Sequence, residues 1–275
     1  MASRVNTWKL WNGVEIPCIG YGSMRTGKVS IAHALKSGYR LIDTAAIYGN
    51  EVEVGQAIKE SGLSREELFI TSKVWNTERG YDKTMKAFNQ SLNDLNLDYL
   101  DMYLVHWPAN SKQYEHWDEL NQSTWKAMIE LYQSGKVRAI GVSNFLPMHL
   151  TSLLTMEVKP MVNQIKYHPG KSQTELVHFC QSNDILVEAW SPLGQGNVLD
   201  HPVLTEIAQN HQKTPAEICI RWCLQNNVVA LPRSNTPARI ESNLNVFDFS
   251  LNEEEMRKID ALDDGLLLDS DQTDL

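Results

Sequence analysis

From position 102 to 154 the chain reads Met102-Tyr103-Leu104-Val105, then a helical pattern over Ser123 to Ser134, then Ala139-Ile140-Gly141-Val142, then a second helical pattern over Pro147 to Leu154. Short apolar runs alternate there with longer stretches whose apolar residues recur at helical spacing. Strands that alternate with helices in this way are joined as parallel crossovers.

The same alternation extends in both directions. Toward the N-terminus, Cys18-Ile19-Gly20-Tyr21 precedes Ser30 to Ser37, Leu41-Ile42-Asp43 precedes Glu51 to Lys59, and Leu68 to Ser72 precedes Tyr81 to Leu95. Toward the C-terminus, Met161-Val162-Asn163-Gln164 precedes Thr174 to Ser182, and Ile185-Leu186-Val187-Glu188-Ala189 precedes Val203 to Gln212 and Pro215 to Gln225. Val228-Val229-Ala230-Leu231 before Pro237 to Asn243 closes the series at eight strand candidates, each followed by a helix. Eight such units in about 250 residues predict an α/β fold, a closed (β/α)8 TIM barrel, over an open doubly wound sheet.

Gly38 and Gly135 fall where helices have to stop, as residues tolerant of a left-handed backbone do. Ahead of the barrel, Trp8-Lys9-Leu10-Trp11 and Val14-Glu15-Ile16 flank Asn12-Gly13, which predicts an N-terminal β-hairpin with a type I′ turn. Neither a linker nor a repeat divides the sequence, so residues 1–275 are read as one domain. The acidic tail from Asp263 to Leu275 reads as loose, or as folding over one face of the barrel.

Composition narrows the function classes. The 25 Lys and Arg against 34 Asp and Glu leave a charge of -9, the opposite of a nucleic-acid footprint. A site for an anionic small ligand would have to be a local positive patch. No apolar stretch approaches the roughly 18 to 20 residues of a membrane helix, and Met1 to Lys9 lacks a secretory pattern, so a soluble cytoplasmic protein with no membrane partner is expected. The four cysteines, Cys18, Cys180, Cys219 and Cys223, form no CxxC and match no histidine spacing, so they read as buried thiols, with no metal site.

In a barrel of this kind the chemistry sits where strands end. Asp43, Lys73 and His106 each close an apolar run, and Tyr48 follows a few residues after Asp43. Together they suit proton delivery. A lysine ammonium beside a tyrosine favours the phenolate and lowers its pKa, a carboxylate holds the lysine charged, and a neutral histidine orients the substrate oxygen. Taken singly, each has a plainer reading: Asp43 as a turn former, Lys73 as a solvated charge, Tyr48 as a packing residue and His106 as a satisfied structural histidine.

At this point the chain resembles the aldo-keto reductase family. The matching segments are Leu41-Ile42-Asp43-Thr44-Ala45 with Tyr48-Gly49-Asn50-Glu51, Ile70-Thr71-Ser72-Lys73, Leu104-Val105-His106-Trp107-Pro108, and Gly135 through Phe145. The resemblance implies a barrel that reduces carbonyls with a nicotinamide cofactor, and it assigns Asp43, Tyr48, Lys73 and His106 as the catalytic set. Gly20-Tyr21-Gly22-Ser23-Met24-Arg25 fails as a Rossmann fingerprint because Arg25 takes the third glycine position; in this family the loop lines the mouth, with Gly22 close to the cofactor.

The resemblance further assigns Ser143, Asn144 and Gln164 to the nicotinamide carboxamide. Trp190 takes the place of an aromatic that stacks on the ring, with Ser191 and Leu193 following it. Arg233, Ser234, Thr236 and Arg239 match the segment that clamps a 2′-phosphate, and Asn243 the adenine contact, which implies NADPH over NADH. Without the resemblance both arginines read as solvated helix-end charges.

For the substrate, Tyr21, Met24, Trp75 and Trp107 are expected as apolar walls, with Tyr114, His116 and Trp117 at the rim. The short tail resembles that of short bacterial members such as glyoxal and diketogluconate reductases, and points to small aldehydes, α-dicarbonyls or keto esters. The expected partner is therefore a small carbonyl compound, with the protein a monomer or weak homo-oligomer. Two rival readings remain: a cofactor-bound regulatory or sensor module with little turnover, and a barrel glycosidase using Glu188.

Overall fold

The computed structural model describes residues 6–262, so the expectation for the tail from Asp263 onward lies outside the described residues. Eight parallel strands lie in sequence order around the sheet: β3 (Gly20–Gly22), β4 (Leu41–Asp43), β5 (Phe69–Val74), β6 (Leu100–Val105), β7 (Val137–Ser143), β8 (Val162–Lys166), β9 (Leu186–Trp190) and β10 (Val228–Leu231). Closure runs through a parallel bridge between Ile19 and Ala230, with Ala230 N donating to Cys18 O at 3.1 Å and Gly22 N to Pro232 O at 3.1 Å. The helices are α1 (Lys28–Ser37), α2 (Glu51–Ser61), α3 (Tyr81–Leu95), α4 (Trp117–Gln133), α5 (Pro147–Leu154), α6 (Thr174–Ser182), α7 (Pro202–His211), α8 (Pro215–Gln225), α9 (Pro237–Ser242) and α10 (Glu253–Asp260). The (β/α)8 barrel expected from the alternation is the fold found.

The hairpin exists, but its turn differs from the expected type I′. β1 (Thr7–Lys9) pairs antiparallel with β2 (Glu15–Pro17) in a register that sets Lys9 opposite Glu15. Gly13 N donates to Leu10 O at 2.8 Å and Leu10 N to Val14 O at 2.9 Å, which makes Trp11-Asn12-Gly13 a three-residue loop. Among these, Gly13 alone has a positive φ, at 88°, the left-handed position such a loop requires. Asn12 has better partners outside a type I′ turn: its Oδ1 accepts from Val14 N at 3.1 Å, and its Nδ2 donates to Arg138 O at 3.0 Å. The hairpin is thereby tied to the N-terminal end of β7.

The core lies between the strands and the surrounding helices. Trp125 on α4 and Trp222 on α8 are fully buried, and each indole N–H is satisfied, by Val158 O at 2.7 Å and by Asp260 Oδ1 at 2.8 Å. The second bond fixes α10 against α8. All four cysteines are buried and free, and burial pushes the Cys18 thiol up to about 11. Among the described residues no helix is long and apolar enough to cross a membrane.

Candidate active site at the C-terminal mouth

β4 ends on Asp43, and the register that pairs Asp43 with Thr71 carries Lys73 two residues higher on β5. A short 3-10 turn, Ala46–Tyr48, then folds Tyr48 back over the strand ends. The Lys73 ammonium is fully buried and donates to Asp43 Oδ1 at 2.7 Å, Thr44 O at 2.9 Å and Tyr48 Oη at 3.5 Å. Three donors thus meet three acceptors. Burial pulls the lysine downward, yet the charge of Asp43 and the bond to it hold the lysine above its ordinary value. Lys73 stays charged.

Tyr48 departs from the expected lowering of its pKa. Burial pushes the phenol above its ordinary range, the nearby Lys73 draws it back only in part, and Asp43 adds to the rise. The phenol therefore stays protonated across the neutral range, the state a proton donor requires.

His106 follows β6, its ring 5.8 Å from that of Tyr48 and 5.0 Å from that of Trp75, both edge-on. Burial, with Lys73 adding to it, keeps its pKa well below the usual imidazole value, so the ring is neutral. Its Nδ1 is buried with no partner among the described residues.

Around this set the ends of β7, β8 and β9 form a second ring of polar groups. Ser143 Oγ donates to Gln164 O at 2.8 Å. Asn144 donates through Nδ2 to His106 O at 3.1 Å and to Ser143 Oγ at 3.0 Å, while its Oδ1 accepts from Trp190 Nε1 at 2.8 Å. The Asn144 amide thus ties the indole of Trp190 to the backbone of His106. Lys166 lies over the Trp190 ring, with Nζ 5.5 Å from the centroid. Asn144 and Ser191 both hold left-handed backbones, with φ of 63° and 54°. Such conformations in residues other than glycine concentrate at functional sites.

The loop from Pro232 to Thr236 lies beside β3. Arg233 and Arg239 are exposed and have no ion-pair partner among the described residues, while Thr236 N donates to Ser234 Oγ at 3.0 Å. Asn243, just after α9, is buried. A Cβ on Gly22 would come within 3.3 Å of Leu231 O, tighter than side chains ordinarily pack, so glycine lets this strand end lie close against the Arg233 loop. Arg25 has a φ of 56°, so the third position of the apparent fingerprint is left-handed without being glycine.

Among the expected substrate walls Tyr21 is displaced. It is 1% exposed, its ring lies edge-on 5.7 Å from that of Tyr39, and its hydroxyl donates to Ser234 O at 2.7 Å. Tyr21 braces the Arg233 loop from inside and does not line the mouth, because alternation along β3 turns it away from the barrel axis. Met24 is exposed, Trp75 is half-buried and Trp107 is buried beside His106. At the rim, the Trp117 ring meets His149 of α5 at 5.4 Å, and Tyr114 lies 5.9 Å from the Arg79 guanidinium.

A family model described as "Aldo/keto reductase family" matches residues 19–264. The chain belongs to the aldo/keto reductase family. It is 52% identical over 266 residues to glyoxal reductase of Bacillus subtilis, with 94% of each chain covered. It is 48% identical to an uncharacterized oxidoreductase, YtbE, of the same organism, over 95% of this chain and 94% of the relative. The crystal structure of an aldo/keto reductase from Brucella melitensis superposes with a TM-score of 0.89 at 45% identity, covering 94% of this chain and all of that one. Membership makes this protein an oxidoreductase of carbonyl groups that uses a nicotinamide cofactor.

Two features of the site went unread in the sequence. Thr44 supplies a backbone acceptor to Lys73, and its Oγ1 donates to Asn50 Oδ1 at 2.9 Å. Asn50 in turn donates to Ser23 O at 2.8 Å and Thr26 O at 3.1 Å, which pins the first loop over the mouth. Both residues stand inside the matched segments, so their position was visible while their bonds were not.

Proposed function

We propose that this protein reduces small aldehydes and α-dicarbonyls to alcohols with NADPH, the chain acting as one barrel unit, with Tyr48 as proton donor. The observation that carries the reading is the enclosed Lys73 ammonium, which bonds Asp43, Thr44 O and Tyr48 Oη at once. When bound, a reduced nicotinamide supplies the hydride to the carbonyl carbon. Neutral His106 directs the carbonyl oxygen, and Tyr48 Oη gives it a proton as negative charge grows there. The phenolate left behind is stabilised by the ammonium 3.5 Å away, which Asp43 keeps charged and aimed.

The donor set fits such a dinucleotide. Gly22 presents no side chain beside Leu231, Ser143 and Gln164 supply polar groups at the nicotinamide end, and Trp190 supplies a flat face. At the other end Arg233 and Arg239, with the Ser234 and Thr236 hydroxyls, make a cationic clamp suited to a 2′-phosphate. The glyoxal reductase relative favours short carbonyl substrates, and Trp75, edge-on to His106, offers them an apolar wall.

The test is to follow oxidation of NADPH, and separately of NADH, on glyoxal, methylglyoxal and a series of larger carbonyls. Turnover with NADPH on the small compounds is expected, and binding without oxidation would instead identify a regulatory module. Arg239→Ala should reduce the preference for NADPH over NADH about tenfold, the value of one charged hydrogen-bonding partner. An unchanged preference would remove Arg239 from the clamp.

A further inference from the structure

Glu188 is fully buried at the centre of β9, directly opposite Gln164 of β8 in the strand register. The Gln164 Nε2 atom donates to Glu188 Oε2 at 2.8 Å and to Asp43 Oδ2 at 2.8 Å. Asp43 presents its other oxygen to Lys73 at 2.7 Å. One amide nitrogen therefore bridges two carboxyl groups, one of them in the catalytic set, and both of its hydrogens are engaged. The second Glu188 oxygen, Oε1, is buried and has no partner among the described residues.

This bridge settles which way the Gln164 amide faces. An amide presents donors at its nitrogen and acceptors at its oxygen, while an ionised carboxylate can only accept. Two carboxyl groups at one end of the amide can be satisfied together only by its NH2. Burial, with Asp43 adding to it, raises Glu188 to about 7, but a protonated carboxyl still keeps a carbonyl oxygen to accept the bond. The amide oxygen is held on the side away from both.

We infer that Glu188 is a positioning residue: with Asp43 it locks the Gln164 carboxamide so that Gln164 offers the nicotinamide an acceptor and selects an N–H on the ring substituent. This rests on the nicotinamide reading above and extends it to a buried carboxyl that touches neither substrate nor cofactor. It also gives the orphaned, desolvated acid a reason to be there, since an apolar residue would leave one amide hydrogen without a partner and the carboxamide held by Asp43 alone, less firmly aimed at the nicotinamide.

The test measures binding of NADP+ and of its acetylpyridine analogue, in which a methyl group replaces the amide nitrogen, by quenching of tryptophan fluorescence. The wild-type protein should prefer NADP+ by about tenfold, the worth of one hydrogen bond at the upper end of the usual range. Glu188→Leu should bring the two within about twofold, and Glu188→Gln, which retains an acceptor, should restore the preference. Equal binding of the two by the wild-type protein overturns the inference without any variant, so it stays falsifiable if Glu188→Leu does not fold. A folded Glu188→Leu that keeps the full preference, or a folded Glu188→Gln that loses it, overturns it as well. If the wild-type protein binds neither nucleotide, the nicotinamide reading falls and this inference with it.

Discussion

The two ends of the barrel handle buried charge in opposite ways. At the N-terminal end, Asp101 of β6 is fully buried, and both of its oxygens are bonded. Oδ1 meets Arg138 at 2.7 Å, while Oδ2 meets Arg65 at 2.6 Å and Ile70 N at 2.9 Å. Arg65 also donates to Leu68 O and Tyr99 O, its guanidinium lies 4.0 Å from the centre of the Tyr99 ring, and only its Nε is buried without a hydrogen-bond partner among the described residues of this cluster. At the C-terminal mouth, His106 Nδ1 and Glu188 Oε1 are buried without partners among the described residues. A carboxylate with every oxygen satisfied ties strands together, whereas buried groups left without partners beside a catalytic set call for a functional explanation.

Removing a group at each end should therefore have unlike consequences. The largest effect is expected at the mouth: Tyr48→Phe should lower kcat by about 10² to 10⁴, the usual contribution of a positioned general acid. Binding of reduced cofactor and the unfolding midpoint should stay close to wild type, because among the described residues the phenol hydroxyl has Lys73 alone as its polar partner. Retained turnover would break the comparison by depriving the mouth of its proton donor. Next comes the floor. Asp101→Ala leaves Arg65, Arg138 and Ile70 N without their shared acceptor, and should cost roughly 3 kcal/mol in urea unfolding, as breaking a buried ion pair does. The kcat of the folded fraction should hardly move. A fall in kcat as deep as that of Tyr48→Phe would show that the two ends are coupled.

The difference between the ends also marks what could be read in advance. Strand and helix periods were legible where one face is apolar: Tyr81–Leu95, Pro147–Leu154, Thr174–Ser182 and Pro215–Gln225 stand where the spacing puts them. α4 begins at Trp117, six residues before the expected Ser123, because its first turns carry Asp118, Glu119, Asn121 and Gln122 and show no apolar period. Asn121 is nonetheless buried, and its side chain exchanges two bonds with Ala109. The positions of Asp43, Tyr48, Lys73 and His106 were legible because each follows an apolar run or a matched segment. What stayed hidden was set by partners far away in sequence: the bond of Tyr21 to Ser234, the Asn144 link between Trp190 and His106, and the Gln164 bridge to Glu188. The direction of the Tyr48 shift was hidden for the same reason, since burial is a property of the packed barrel and outweighs a neighbouring charge.

Acid should separate the two ends further, through histidines present at the mouth and absent from the Asp101 cluster. His149 packs edge-on against Trp117 and Phe145, and its Nδ1 accepts from Leu146 N at 3.1 Å. Burial lowers its pKa to about 4 from an ordinary 6.5, with Asp118 opposing the shift. Because the folded value is the lower one, the unfolded chain takes up a proton first as pH falls, so the stability His149 contributes is present above 6.5 and is lost on the way down to about 4. Replacing it by asparagine keeps a side-chain acceptor while removing the titration. Between pH 7 and pH 5.5 the wild-type protein should lose about 1 kcal/mol more than His149→Asn, as measured by urea unfolding at the two pH values. His106, held below its usual pKa as well, adds the same acid sensitivity to both proteins and so drops out of the difference. Equal losses in the two proteins would mean that His149 takes up its proton in the folded state, and that its place at the mouth is less dry than its contacts imply.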